Sequence, residues 1–113
     1  MKIYKILTTK QWDDAQAAGV FRGAPVDLQD GYIHFSKWDQ VEETARKHFK
    51  GQDGLLLATV DDARLGDLLR YEPSRGGNLF PHLFGSLPLT VIERIIPLPM
   101  SEDGFHLFEG LLP

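Results

Sequence analysis

Short apolar runs alternate along the chain with polar segments punctuated by Gly and Pro, and their spacing predicts an order of strands and helices. Residues 2–7, Lys-Ile-Tyr-Lys-Ile-Leu, are β-rich and partly alternating, which predicts a strand. Thr8 or Thr9 can cap a helix running to about Ala18, with Trp12, Ala15 and Ala18 on one side. Gly19 stands where a left-handed residue ends a helix. A loop rich in Gly, Pro and Asp is expected over 22–31, then a short strand at 32–35. Ser36 reads as the N-cap of a second helix, about Lys37 to Phe49, whose stripe carries Trp38, Val41, Ala45 and His48/Phe49.

Residues 54–60, Gly-Leu-Leu-Leu-Ala-Thr-Val, are apolar on both faces, so a central strand buried on both sides is predicted. Asp61 or Asp62 opens a short helix to Leu68 or Leu69, and Arg70-Tyr71-Glu72 forms a brief strand cut off by Pro73. Residues 73–88 hold Pro73, Gly76, Gly77, Pro81, Gly85 and Pro88, a composition that predicts a functional loop. A strand follows at 90–96, and 104–108 add a short edge strand. The order β-α-β-α-β-α-β-loop-β-β predicts an α+β fold with about three helices and mixed, mostly antiparallel sheets.

Composition narrows the chemistry. One domain spanning 1–113 is expected from the 113 residues. With 0 Cys, a disulfide scaffold, a thiolate metal site and a cysteine nucleophile are excluded. Twelve Lys+Arg against sixteen Asp+Glu give a net charge of −4, without the basic footprint of a broad nucleic-acid surface. No apolar run approaches the roughly 20 residues that span a bilayer, so no membrane partner and a cytoplasmic location are expected.

Three polar groups stand out. His34, in Asp30-Gly31-Tyr32-Ile33-His34-Phe35-Ser36, shares a strand face with Tyr32. Such a histidine can bind sugar hydroxyls or act as acid or base, and it can equally be a partly buried ring satisfied by backbone. His82, in Phe80-Pro81-His82-Leu83-Phe84-Gly85, is held between aromatics by Pro and Gly, and those aromatics also suit a plug at the core's edge. Glu72 lies between Tyr71 and Pro73 and can face a sugar hydroxyl; Arg75, followed by Gly76, Gly77 and Asn78, can present a guanidinium and amides to an anion or form an ordinary turn. No histidine pair has helical i, i+4 or H-x-H ligand spacing, and no P-loop, dinucleotide fingerprint or nucleophile-elbow motif occurs.

Taken together, Ile3-Tyr4-Lys5-Ile6, Trp12, Ala15, the segment Asp30 to Ser36, Gln40, Tyr71-Glu72 and the segment Phe80 to Gly85 resemble the small bacterial proteins grouped as domain of unknown function 952. The resemblance covers essentially the whole chain. A more distant likeness is to the ADP-ribosyltransferase-like fold, nearest the NAD-using RNA 2′-phosphotransferases. Their first motif reads Leu-Tyr-His-Gly-Thr and their second His-Val-His-Leu-Ser; here Ile3-Tyr4-Lys5 and Tyr32-Ile33-His34-Phe35-Ser36 stand in those places, with Lys5 where the first motif has histidine.

That likeness implies a small nucleotide, NAD among the candidates, in a cleft between two small sheets. It implies His34 and Ser36 at the ribose with Lys5 as a further donor, and His82 or Tyr71 beside the base. Glu72 would steady an oxocarbenium-like transition state, and Arg75 or Arg22 would meet a pyrophosphate. The chemistry requires no metal. Two other readings stand beside it: a catalytically silent module binding a nucleotide, sugar phosphate or peptide, and a metal-dependent hydrolase using His34, His82 and a carboxylate.

Overall fold

The computed structural model describes residues 1–111, with the side chain of Arg75 also outside the described set. Among these residues the chain forms eight strands and three α-helices: β1 (Lys2–Thr8), α1 (Thr9–Ala18), β2 (Val20–Phe21), α2 (Pro25–Asp30), β3 (Ile33–His34), α3 (Trp38–His48), β4 (Leu55–Asp61), β5 (Leu69–Pro73), β6 (Leu79–Leu83), β7 (Leu87–Pro88) and β8 (Ile92–Leu98). The strands pair antiparallel in three sheets, ordered β1-β4-β8, β2-β7 and β3-β6-β5. An α+β architecture of antiparallel sheets with three helices is therefore present. No described helix is long and apolar enough to cross a membrane.

The β1-β4-β8 sheet is covered on both faces, as the continuous apolar run of β4 anticipates. Ile3 and Leu7 of β1, with Ala58 and Val60 of β4, pack against Ala15 of α1 and against Ile33 and Leu83 of the β3-β6-β5 sheet. Tyr4, Ile6, Leu55 and Leu57 point the other way, onto Val41 and Ala45 of α3 and Phe108. Strand parity places Lys5 in the first row, between Ile3 and Leu7. A buried lysine in an apolar row requires a counter-ion, and this one shapes the site.

Local chemistry explains α1. Gln11 N–H donates to Thr8 Oγ1 at 3.0 Å and Thr8 N–H donates to Gln11 Oε1 at 3.0 Å, a reciprocal cap. Gly19 ends the helix at φ 79°. A Cβ added there meets nothing within 4 Å, so only the backbone conformation opposes substitution. Gly19→Ala is expected to cost about 1 kcal/mol and to lower the urea midpoint by about 0.5 M; an unchanged midpoint would show that the helix end rearranges freely.

Several expectations are corrected. The loop expected over 22–31 contains a helix, α2, begun by Pro25 and ended by Gly31 at φ 88°. Asp27, in the first turn of the helix, replaces the missing side-chain cap: its Oδ2 accepts from Ala24 N–H at 2.8 Å. Ser36 is not the cap of α3; that position is Lys37, whose N–H donates to Gln40 Oε1 at 3.0 Å. Ser36 instead exchanges backbone hydrogen bonds with Tyr4, each 2.8 Å, tying β3's exit to the edge of β1. The helix expected after Asp61 is two 3₁₀ turns, Asp62–Arg64 and Gly66–Leu68.

The loop expected over 73–88 holds two strands, β6 and β7. Pro81 sits inside β6 because its carbonyl accepts from Phe35 N–H at 3.0 Å, away from the β5 ladder. In antiparallel pairing a residue's nitrogen and oxygen face the same side, so the missing N–H falls just past the end of the two-residue β3 and the β5 ladder is untouched. The edge strand expected over 104–108 is reduced to a single bridge, Met100 to His106.

Candidate functional site

The β3-β6-β5 sheet has one apolar and one polar face. Ile33, Leu83 and Leu69 form a cross-strand row toward the core. On the other face His34 lies directly opposite His82, and His82 opposite Arg70. The His34 and His82 rings meet edge to face at 5.5 Å, and Tyr32 stacks on His82 at 4.1 Å. Antiparallel register brings two residues far apart in sequence into one group.

Each ring has its Nδ1 on a carboxylate. His34 Nδ1 lies 2.6 Å from Asp27 Oδ1, and His82 Nδ1 lies 2.8 Å from Glu72 Oε1. His34 Nε2 is 2.9 Å from Asp30 Oδ2. Asp27 is the hub: Oδ1 also accepts the His34 backbone N–H at 3.1 Å, and Lys5 Nζ lies 2.9 Å from Oδ2 and 3.1 Å from Oδ1. Asp27 and Lys5 are both buried, at 2% and 7% exposure.

Burial alone would raise the Asp27 pKa; the His34 hydrogen bond, the Lys5 charge and the Ala24 N–H outweigh it, taking the carboxyl from 3.8 to about 2. Burial lowers the Lys5 pKa against the opposing pull of Asp27. Because the folded Asp27 value lies below the unfolded one, its contribution is full above pH 4 and is lost as the pH falls through 2. The fall to about 2 corresponds to about 2 kcal/mol at neutral pH. A carbon-detected NMR titration of the folded protein should give an Asp27 midpoint near 2; a midpoint at or above 3.8 would contradict the coupling. Burial, and then the charges of Asp30 and Glu72, raise the Tyr32 phenol, which keeps its proton at neutral pH.

A cavity of about 610 Å³ opens between the β1 edge and the β3-β6 pair, lined by Lys5, Asp30, His34, Ser36, Thr44 and His82 among others. That volume lies in the range of small-molecule sites. Of the residues singled out in the sequence, His34, His82, Lys5 and Ser36 therefore share one cavity. Ser36 Oγ lies 3.1 Å from Thr44 Oγ1. Glu72 shares the polar face and reaches the cavity through His82, its own carboxylate being half-exposed.

Two residues lie elsewhere. Tyr71 belongs to the apolar face, opposite Pro81, and its hydroxyl donates to Asp62 Oδ2 at 2.7 Å, so it does not flank a ligand beside His82. Arg22 lines a separate 260 Å³ groove with Gln11 and Asp14. The Arg75 side chain lies outside the described residues. Asp27 and Asp30 were not singled out by sequence reasoning. The available signals were Lys5 in an apolar row, which demands a buried acid, and the one-turn spacing of two aspartates just before the His34 strand. Among the described residues no three His, Asp or Glu groups are placed to hold a metal ion.

Fold and cavity together define a small α+β protein built around a histidine-paired cleft. The chain belongs to the family described as protein of unknown function DUF952, whose model matches residues 6–95. It is similar to protein CC0527 from Caulobacter crescentus, a structural genomics target. That protein's crystal structure is 44% identical over 96% of each chain, with a TM-score of 0.94. Its solution NMR structure covers 98% of this chain and 96% of its own, with 44% identity and a TM-score of 0.88. No curated protein matches the chain.

Proposed function

We propose that the cleft binds a nucleotide-like ligand through its ribosyl part and acts on the glycosidic bond, as a transferase or glycohydrolase of ADP-ribosyltransferase-like type. The observation that carries the reading is the meeting of His34 and His82 at one cavity, each Nδ1 held by a carboxylate. Such a hold commits each Nδ1, and it sets His34 Nε2 against a second carboxylate at the cavity, Asp30 Oδ2 at 2.9 Å. The motif likeness around Tyr32 to Ser36, and the position of the cavity between two small sheets, give further support.

With NAD as substrate, the ribosyl carbon–nitrogen bond breaks and its electron pair returns to the nicotinamide ring, which leaves neutral. Positive charge then develops at the sugar carbon. Asp30, which lines the cavity and meets His34 Nε2 at 2.9 Å, supplies the facing carboxylate in place of Glu72, which reaches the cavity only through His82. Water or an acceptor hydroxyl adds to the sugar carbon, and the pair formed by His34 Nε2 and Asp30 Oδ2 takes its proton. His82 and Ser36 hold ribose hydroxyls.

Incubation with NAD, followed by measurement of free nicotinamide, tests the reading. Release above the uncatalysed rate, together with a rise in melting temperature at millimolar NAD, is expected. Neither release nor a thermal shift would overturn it. The silent binding module is favoured by one observation: Lys5, at the first-motif histidine position, has its ammonium on Asp27. A thermal shift without nicotinamide release would select that reading.

A further inference from the structure

We infer that Lys5 and Asp27 act as one positioning unit that fixes the proton on His34 Nδ1 and turns Nε2 to Asp30 at the cleft. The inference rests on His34 being the reactive group of the proposed site. A single oxygen, Asp27 Oδ1, accepts from both the His34 backbone N–H and its ring Nδ1. That double hold sets the ring's rotation relative to its own strand. Asp30 Oδ2, 2.9 Å from Nε2, competes for the proton, but it is solvent-exposed where Asp27 is buried, so the neutral ring keeps its proton on Nδ1. The other oxygen, Oδ2, is anchored by Ala24 N–H at the start of α2 and by Lys5 Nζ. The carboxylate is thereby fixed from α2, β1 and β3 at once.

Energetics separate this role from simple stabilisation. A buried ion pair is often no more stable than apolar residues of similar volume, because both charges lose their hydration. Here the pair occupies a row otherwise filled by Ile3 and Leu7, where an apolar residue would serve the core equally well. Lys5 has its ammonium turned to Asp27, which makes it the counter-ion that keeps Asp27 ionised rather than a ligand contact. An ionised Asp27 accepts only, so the shared proton must reside on His34 Nδ1.

The test uses the whole protein labelled with ¹⁵N. At a pH where His34 is neutral, its ring nitrogens should report the Nδ1–H tautomer in the wild type. Asp27→Asn leaves Lys5 buried without a counter-ion, so Lys5→Met/Asp27→Asn is the informative variant, since it removes both charges. The double variant should melt above Asp27→Asn, since no buried ammonium is left unpaired, while the Nδ1–H population falls to that of an unconstrained imidazole. Nicotinamide release should fall at least tenfold, with its pH profile displaced. A wild type in the Nε2–H form overturns the inference. So does a folded double variant that keeps both the Nδ1–H form and the wild-type rate. If no NAD turnover is found in any variant, the nitrogen spectra still decide the positioning role, while the ribosyl reading fails separately.

Discussion

Asp27→Asn is expected to lower the melting temperature by about 10–20 °C, the consequence of losing about 3–5 kcal/mol when one partner of a buried ion pair is removed. Asparagine has nearly the same shape, so packing is conserved and the loss is electrostatic. The Lys5 ammonium is left at 7% exposure with no counter-charge. One amide oxygen must then serve Ala24 N–H, His34 N–H and His34 Nδ1, which two carboxylate oxygens serve in the wild type. Burial already lowers the Lys5 pKa, so in the variant the ammonium can escape by releasing its proton. The deficit should therefore shrink as the pH rises. Lys5→Met should cost less, because Asp27 keeps His34 and two backbone donors. Thermal denaturation of the two variants across pH 6–9 checks the order. An Asp27→Asn change of under about 3 °C would mean that Lys5 swings out to solvent.

His34→Ala is expected to reduce nicotinamide release by about 10²–10⁴-fold, the span usually assigned to a single acid–base group. The fold should survive. Asp27 still has Lys5, Ala24 N–H and the backbone N–H of residue 34, so no buried carboxylate is orphaned. His34 is also only half-buried, and the neighbouring Ile33 and Phe35 carry the core contacts. Steady-state release with a circular dichroism check on folding separates the two effects. A variant that releases nicotinamide as fast as the wild type would remove His34 from the chemistry. A variant that unfolds would contradict the hydrogen-bond accounting around Asp27.

Legibility in the sequence followed the range of the interactions. The α1 helix was readable because its cap, Thr8 with Gln11, and its left-handed terminus, Gly19, lie within the helix's own neighbourhood. β4 was readable from one unbroken apolar run, since it is buried on both faces. α2 was missed because its cap comes from a carboxylate three residues inside the helix and its short length gives little periodicity. β6 was missed because Pro81 and nearby glycines signal a loop, and only the shortness of β3 makes a proline tolerable there. Tyr71, an alternative to His82 beside the base in the sequence reading, lies on the opposite sheet face for a related reason. Tyr71 and Glu72 point oppositely, so adjacency in sequence separates them in space.

The sequence by itself determined the α+β content, the buried central strand, the absence of cysteine chemistry, the family resemblance and the prominence of His34 and His82. Tertiary structure alone decided that these histidines face one another, that Asp27 joins Lys5 to His34, and that Tyr71 and Arg22 lie elsewhere. The physical reason is that helix caps and apolar periodicity are local, whereas cross-strand register and buried charge pairing exist only after distant segments pack. A lysine in an apolar row announces that it needs an acid; only the folded chain selects Asp27 to meet it.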